Sequence, residues 1–133
     1  MEPLASRLVG TWHAVAEWDK SNVLYMRILE DLRYISVFER QPVSAKWPWQ
    51  SMRVWLVLEP NSVLRCSYSR GGSPMMRTFF FEGDCFMLDV TSITIEEEPA
   101  LERKLYRCRP IAVMDLPEGV EEEFGRAMAK DWT

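Results

Sequence analysis

The chain reads as an all-β domain: an eight-stranded up-and-down antiparallel β-barrel with a C-terminal α-helix packed outside. Three observations predict this. Short segments alternating apolar and polar residues recur along residues 9–109, punctuated by Gly, Pro, Asn and Asp. The connections between them alternate between tight and long, as in a meander whose two ends differ. Past Pro110 and Pro117 the apolar period lengthens from two residues to four. A chain of 133 residues can bury a core without staples, so residues 1–133 make one domain, with the barrel at 9–109 and the helix at about 118–132.

In chain order, Glu2 to Arg7 has room for one helical turn beneath the first strand. That strand, Val9 to Trp18, alternates strictly: Gly10, Trp12, Ala14, Ala16 and Trp18 share one face, and Thr11, His13, Val15 and Glu17 the other. With Trp12 inward, two alanines between tryptophans leave space rather than filling it. Asp19 to Asn22 is a turn. Val23 to Leu29 is the second strand and Leu32 to Arg40 the third, rich in aromatic and β-branched residues. Gln41 to Gln50 breaks the pattern with Pro42 and Pro48 and carries Trp47-Pro48-Trp49. Met52 to Glu59, Ser62 to Ser69, Met75 to Glu82, Cys85 to Val90 and Leu101 to Arg109 supply strands four to eight; Ile93-Thr94-Ile95 could add a short one. From Glu118 to Trp132, Val120, Phe124, Met128 and Trp132 form a helical stripe. Glu121 to Glu123 at its start and Lys130 near its end suit the helix dipole. Docking on its own domain is the favoured reading of that stripe, ahead of a partner.

The connections after strands two, four and six are tight (Glu30-Asp31, Pro60-Asn61, Gly83-Asp84), and those after three, five and seven are longer. One end of the sheet is therefore stitched and the other carries loops. Closing such a sheet removes its edges, and eight strands can enclose one small ligand.

Three features carry a resemblance: Gly10-Thr11-Trp12 on the first strand, the eight-strand meander, and the helix after it. In these the chain resembles the lipocalin and fatty-acid-binding (calycin) superfamily, and a cytoplasmic, bacterial-type member most of all. The resemblance implies a tryptophan at the closed end with an arginine late in the last strand packed across it. Arg107 or Arg109 would fill that place, so Gly10, Trp12 and Arg107 are expected to form the barrel base, a cation lying on an indole face. The chain departs from the family's branches in three respects. Signal peptide and disulfide signals are missing, Asp19 to Asn22 is too short for a helical lid, and no Arg-x-Tyr pair binds a carboxylate, since Arg103 and Tyr106 are three apart. Fatty-acid binding is not carried over.

Composition narrows the function classes. The net charge is −4 with no basic run, which excludes nucleic acid as a main partner. No apolar run is long enough for a membrane span. Met1 to Ser6 has no basic region followed by an apolar one, so no signal peptide is expected. Cys66, Cys85 and Cys108 are odd in number, lack C-x-x-C spacing and fall inside predicted strands; buried thiols in a reducing cytoplasm are expected. Six tryptophans, eight methionines and six phenylalanines suit either a ligand cavity or a core of large residues, and the two readings weigh equally.

No catalytic residue, metal site or cofactor is expected. His13, the sole histidine, falls on the face opposite Trp12, away from the interior. Glu96-Glu97-Glu98 reads as a solvated loop, Arg70-Gly71-Gly72 as a hairpin turn, and Glu82, Asp84 and Asp89 as turn and surface residues. The favoured function is binding of a small apolar or amphipathic molecule inside the cup. Trp18, Tyr34, Phe38, Leu56, Tyr68, Arg77 and Phe79 would line it, with Trp47 and Trp49 at its mouth. The alternative is an interaction or oligomerisation module with a filled barrel, burying the Trp47–Trp49 loop or the helix in a homodimer. An isomerase or lyase using the cup ranks last.

Overall fold

A computed structural model describes residues 4–40, 46–58, 64–70, 73–82, 85–89, 104–130 and 132, the side chains of 4, 5, 57–78, 82 and 85 excepted. The chain is mostly β: an antiparallel sheet that curls on itself, with one helix after it. A short helix, α1 (Leu4–Leu8), leads into β1 (Gly10–Ala16), β2 (Val23–Ile28), β3 (Arg33–Glu39) and β4 (Trp49–Leu58). Then follow β5 (Leu64–Arg70), β6 (Ser73–Glu82), β7 (Cys85–Asp89) and β8 (Leu105–Pro110). A single 3₁₀ turn (Val113–Asp115) precedes α2 (Val120–Ala129). Each strand pairs antiparallel with the next in sequence. The last strand also pairs with the first, from Trp12 opposite Pro110 to Ala16 opposite Tyr106.

Several boundaries differ from the sequence reading. β1 stops at Ala16, leaving Trp18 beyond the ladder. β4 starts at Trp49 rather than Met52, because Trp49, Gln50 and Ser51 pair with Glu39, Phe38 and Val37. The Arg40 N–H donates to the Pro48 carbonyl at 2.7 Å, drawing that connection in further. β8 begins at Leu105. The Ile93–Ile95 segment lies outside the described residues. The β2–β3 connection is as tight as expected: Leu32 N–H donates to Leu29 O at 2.9 Å, with Leu32 at φ +67°.

Alternation sorts the side chains into two apolar layers. Inside the curl, Trp12, Ala14, Ala16, Met26, Ile28, Tyr34, Leu56, Phe79, Phe86 and Leu88 belong to one buried cluster. Its aromatic floor is continuous. Phe79 stacks on Phe86 (5.3 Å, 12°), Trp12 tilts against Phe86 (4.9 Å), and Tyr34 meets Phe79 edge-on (5.4 Å). Outside, Ile35 and Val37 of β3 pack against Val120, Phe124 and Ala127 of α2. The stripe read from the sequence therefore docks on its own domain.

The base of the curl is built differently from the expectation. Trp12 is inward and buried, and its Nε1–H donates to the Leu8 carbonyl of α1 at 2.8 Å. Gly10 sits between them at φ +140°; open space surrounds the place of its missing Cβ. Backbone conformation, not crowding, is what requires glycine there. Arg107 does not reach Trp12. It alternates with the buried Tyr106 and Cys108, so it points outward, where its Nε donates to Glu17 Oε1 at 3.0 Å. Arg109 shares that parity and is exposed. The cation at this end comes from α1 instead: the Arg7 guanidinium lies 3.8 Å from the Phe81 ring centroid.

Candidate functional site

Above the aromatic floor, at the end that carries the 17–22 turn, the curled sheet opens into a cleft of about 640 Å³. Its inner wall includes Leu24 of β2, Tyr34, Ser36 and Phe38 of β3, and Met52 of β4. Leu88 of β7 and Tyr106 of β8 face them, side by side in the β7–β8 register. Polar residues of the β1–β2 turn, Asp19, Ser21 and Asn22, form the rim. Over the rim the cleft continues to Tyr25, Glu39 and Trp49. Among the described residues, the lower part of the interior is packed and the cleft opens above it.

Local structure holds the rim in place. Asp19 Oδ1 accepts from the Ser21 N–H (3.1 Å) and hydroxyl (2.7 Å), and Asn22 N–H donates to the Asp19 carbonyl at 2.9 Å. Those bonds from Ser21 hold the Asp19 carboxyl below its ordinary pKa. Across the rim, the Tyr106 hydroxyl donates to Asn22 Oδ1 at 3.0 Å. Burial, helped by the charge of Glu39, pushes the Tyr25 phenol up. Glu17, bonded by Lys20 and Arg107, has its carboxyl held down.

One atom in the wall stands out. Ser36 is fully buried, and among the described residues its Oγ has no hydrogen-bond partner. A buried hydroxyl without a partner is uncommon, because the lost hydration has to be offset by some other bond.

The sequence-predicted residues divide into groups. Tyr34 and Phe38 line the cleft. Phe79 and Leu56 face inward as expected but lie in the packed cluster and not among the residues lining the cleft. Ala14 and Ala16 share that position, so the space beside them is not where the cleft opens. Trp18 packs edge-on against Tyr106 (5.1 Å), with Lys104 Nζ 5.6 Å from its ring centroid. The side chains of Tyr68 and Arg77 lie outside the described residues.

The Trp47–Trp49 segment packs against α2 and the residues just before it. Trp47 Nε1–H donates to Glu123 Oε1 of α2 at 2.7 Å, and the Arg126 guanidinium lies 4.0 Å from its ring centroid. Trp49 Nε1–H donates to the Glu118 carbonyl at 2.9 Å, its ring edge-on to Tyr25 (6.1 Å). Both indoles turn to α2, and Trp49 alone also borders the cleft. The helix ends in a similar clamp. Trp132 meets Trp55 edge-on at 5.9 Å, and the Arg33 and Arg53 guanidiniums lie 5.3 and 5.4 Å from its ring centroid.

Sequence reasoning missed Leu24, Ser36, Met52 and Leu88 in the wall and Asp19 and Glu39 at the rim. For Ser36 a signal existed: it is the polar residue at inward parity between Tyr34 and Phe38. His13 lies outside, stacked on Tyr25 at 5.3 Å. Among the described residues no group of His, Cys, Asp or Glu is arranged to hold a metal ion, and no helix is long and apolar enough to cross a membrane. Cys108 is a free, buried thiol, and burial pushes its pKa up to about 12. In comparisons with protein-family models, curated proteins and solved structures, none matches this chain.

Proposed function

We propose that the protein binds a small amphipathic molecule in the loop-end cleft of a closed, eight-stranded, lipocalin-like barrel. The observation that carries this reading is a cleft of about 640 Å³ whose described lining joins apolar side chains (Leu24, Phe38, Met52, Leu88) to polar ones, the buried Ser36 hydroxyl among them. Pockets for small ligands are commonly apolar with a few placed polar groups, and of this order of size. The ladder from β8 back to β1 supports the barrel form, and with it the calycin-type architecture. A cytoplasmic setting belongs to the same reading, supported by the free thiol of Cys108. The oligomerisation alternative draws less support, because the Trp47 N–H is taken up by Glu123 of α2 and the Trp49 N–H by the Glu118 carbonyl just before the helix.

Tryptophan emission tests the proposal, since Trp49 borders the cleft. Titration with a panel of lipids, tetrapyrroles and aromatic acids is expected to give saturable quenching or a spectral shift with at least one class. A flat response to the whole panel, repeated by calorimetry, would remove the reading.

A further inference from the structure

We propose that the cleft selects its ligand by length: it takes compact amphiphiles, built on a medium-length chain or a small ring system, and stops longer chains at a floor formed by Tyr34, Leu88 and Tyr106. The inference rests on the small-molecule reading above and adds the size of the ligand to it.

The floor can be traced strand by strand. On β2, Leu24 lines the cleft, while Met26, the next residue of inward parity, belongs to the packed cluster. The same change falls between Met52 and Val54 on β4, Leu88 and Phe86 on β7, and Tyr106 and Cys108 on β8. On β3 the cleft reaches down to Tyr34, whose cross-strand neighbours Ile28 and Val54 are both in the packed cluster. Tyr34, Leu88 and Tyr106 belong to the cluster and to the cleft lining alike, so they are the upper surface of the floor. Beneath them the rings interlock. Tyr34 meets Phe79 of β6 edge-on at 5.4 Å, and Phe79, fully buried, stacks on Phe86 at 5.3 Å. A chain passing this layer would have to displace a packed ring, and a dense interior yields to such overpacking only at a cost.

The strand sets the depth. From Tyr34 to Phe38 the cleft follows β3 for four residues, about 13 Å along the strand and about 10 Å once barrel-type tilt is allowed for. Tetrahedral bonds of about 1.5 Å advance an extended chain by about 1.25 Å per carbon, so about eight to ten carbons reach from lip to floor. Each methylene taken out of water within that length strengthens binding by about fourfold, and one left outside adds almost nothing.

The test is a series of unbranched primary alcohols from hexanol to tetradecanol, each below its solubility limit, which brings no charge into the comparison. Affinities are read by calorimetry for the wild type, Tyr34→Val and Leu88→Ala, with melting curves to verify that each variant folds. In the wild type, affinity is expected to climb about three- to fourfold per methylene as far as about decanol, then to gain less than about 1.5-fold for each one added. Tyr34→Val and Leu88→Ala lower the floor and should move that break outward by about two carbons or more, whereas a solubility artefact would leave it in place. If neither variant folds, the wild-type break alone decides the length stop. A climb that continues unbroken to tetradecanol would overturn it while leaving small-molecule binding intact, and so would binding of another panel compound when none of the alcohols binds. A break that stays in place in both folded variants would overturn the assignment to Tyr34 and Leu88. Binding of no alcohol, together with a flat response to the broader ligand panel, would defeat the small-molecule reading and this inference with it.

Discussion

Removing the Ser36 hydroxyl should stabilise the unliganded protein. Oγ is buried without a partner, and such an atom costs about 1–3 kcal/mol relative to its hydrated state in the unfolded chain. Ser36→Ala deletes that one atom and leaves a gap too small for water, forfeiting only a few tenths of a kcal/mol of dispersion. The net expectation is a gain of about 1–2 kcal/mol. With an unfolding entropy of about 2.1 cal/mol/K per residue, 133 residues turn that gain into a Tm rise of roughly 4–7 °C. Melting followed by circular dichroism, with urea midpoints alongside, measures it. Ser51→Ala is the matched control. Its hydroxyl donates to Glu123 Oε2 at 2.6 Å, so the same chemical change there should cost about 1–2 kcal/mol. Opposite signs at Ser36 and Ser51 would support the account. A Tm drop for Ser36→Ala comparable to that of Ser51→Ala would refute it, by revealing that Oγ has a partner in the unliganded state.

Other perturbations probe the scaffold around the cleft. Gly119→Ala should destabilise by about 2–4 kcal/mol, because Gly119 is at φ +93° and an added Cβ would lie 2.8 Å from Trp49 Cδ1 and Nε1. The check is a lower urea midpoint with red-shifted tryptophan emission, and an unchanged midpoint would contradict it. Arg27→Lys should cost about 1–2 kcal/mol, since the guanidinium bonds both Glu121 oxygens (2.9 and 2.6 Å) and Thr11 Oγ1 (3.0 Å) while covering Phe124; the half-exposed Glu121 keeps the figure low. A loss under about 0.3 kcal/mol in urea unfolding would mean that apolar packing alone holds α2. Cys108 gives a pH dependence of fixed sign. Burial raises its folded pKa to about 12 from the ordinary thiol value of 9.0, so its contribution is complete below pH 9 and fades as the pH climbs toward 12. Tm should therefore fall more steeply over that window in the wild type than in Cys108→Val, and parallel curves would exclude the mechanism.

The parts of the molecule governed by local pattern were legible in the sequence. Strict alternation in β1 placed Trp12 inside and His13 outside, as found. The four-residue stripe Val120, Phe124, Met128 and Trp132 faces the sheet, joined by Ala127 from the neighbouring row. Where the reading failed, a longer-range constraint had replaced the local one. Arg107 was assigned to the base from family likeness, although parity with Tyr106 and Cys108 already turned it outward. Trp47 and Trp49 looked like costly exposed rings because their acceptors, Glu123 and the Glu118 carbonyl, lie about seventy residues further on. No spacing rule links a loop tryptophan to a helix glutamate at that separation. The cleft itself was legible only in part, since Tyr34 and Phe38 follow from parity whereas Asp19 and Glu39 reach it only because the chain curls.

The position of Ser36 follows from what β3 is asked to do. Most strands of a curled sheet have one face in the interior and one toward water, and a serine can turn out or find solvent. β3 lies under α2, so Ile35 and Val37 are covered on the outer face while Tyr34 and Ser36 are covered on the inner one. Such a strand favours residues that are apolar at every position. A serine there relinquishes stability that alanine or valine would supply. Polar groups that weaken a fold are tolerated most readily where function uses them. The same strand carries the helix on one side and the cleft on the other, so the clamp that seats Trp47 and Trp49 also stiffens the wall in which Ser36 stands. Loosening α2 through Gly119→Ala should therefore weaken binding in the cleft as well as the fold. In Ser36→Ala, by contrast, affinity and stability should move in opposite directions. That divergence separates a ligand-facing hydroxyl from one that is merely badly packed.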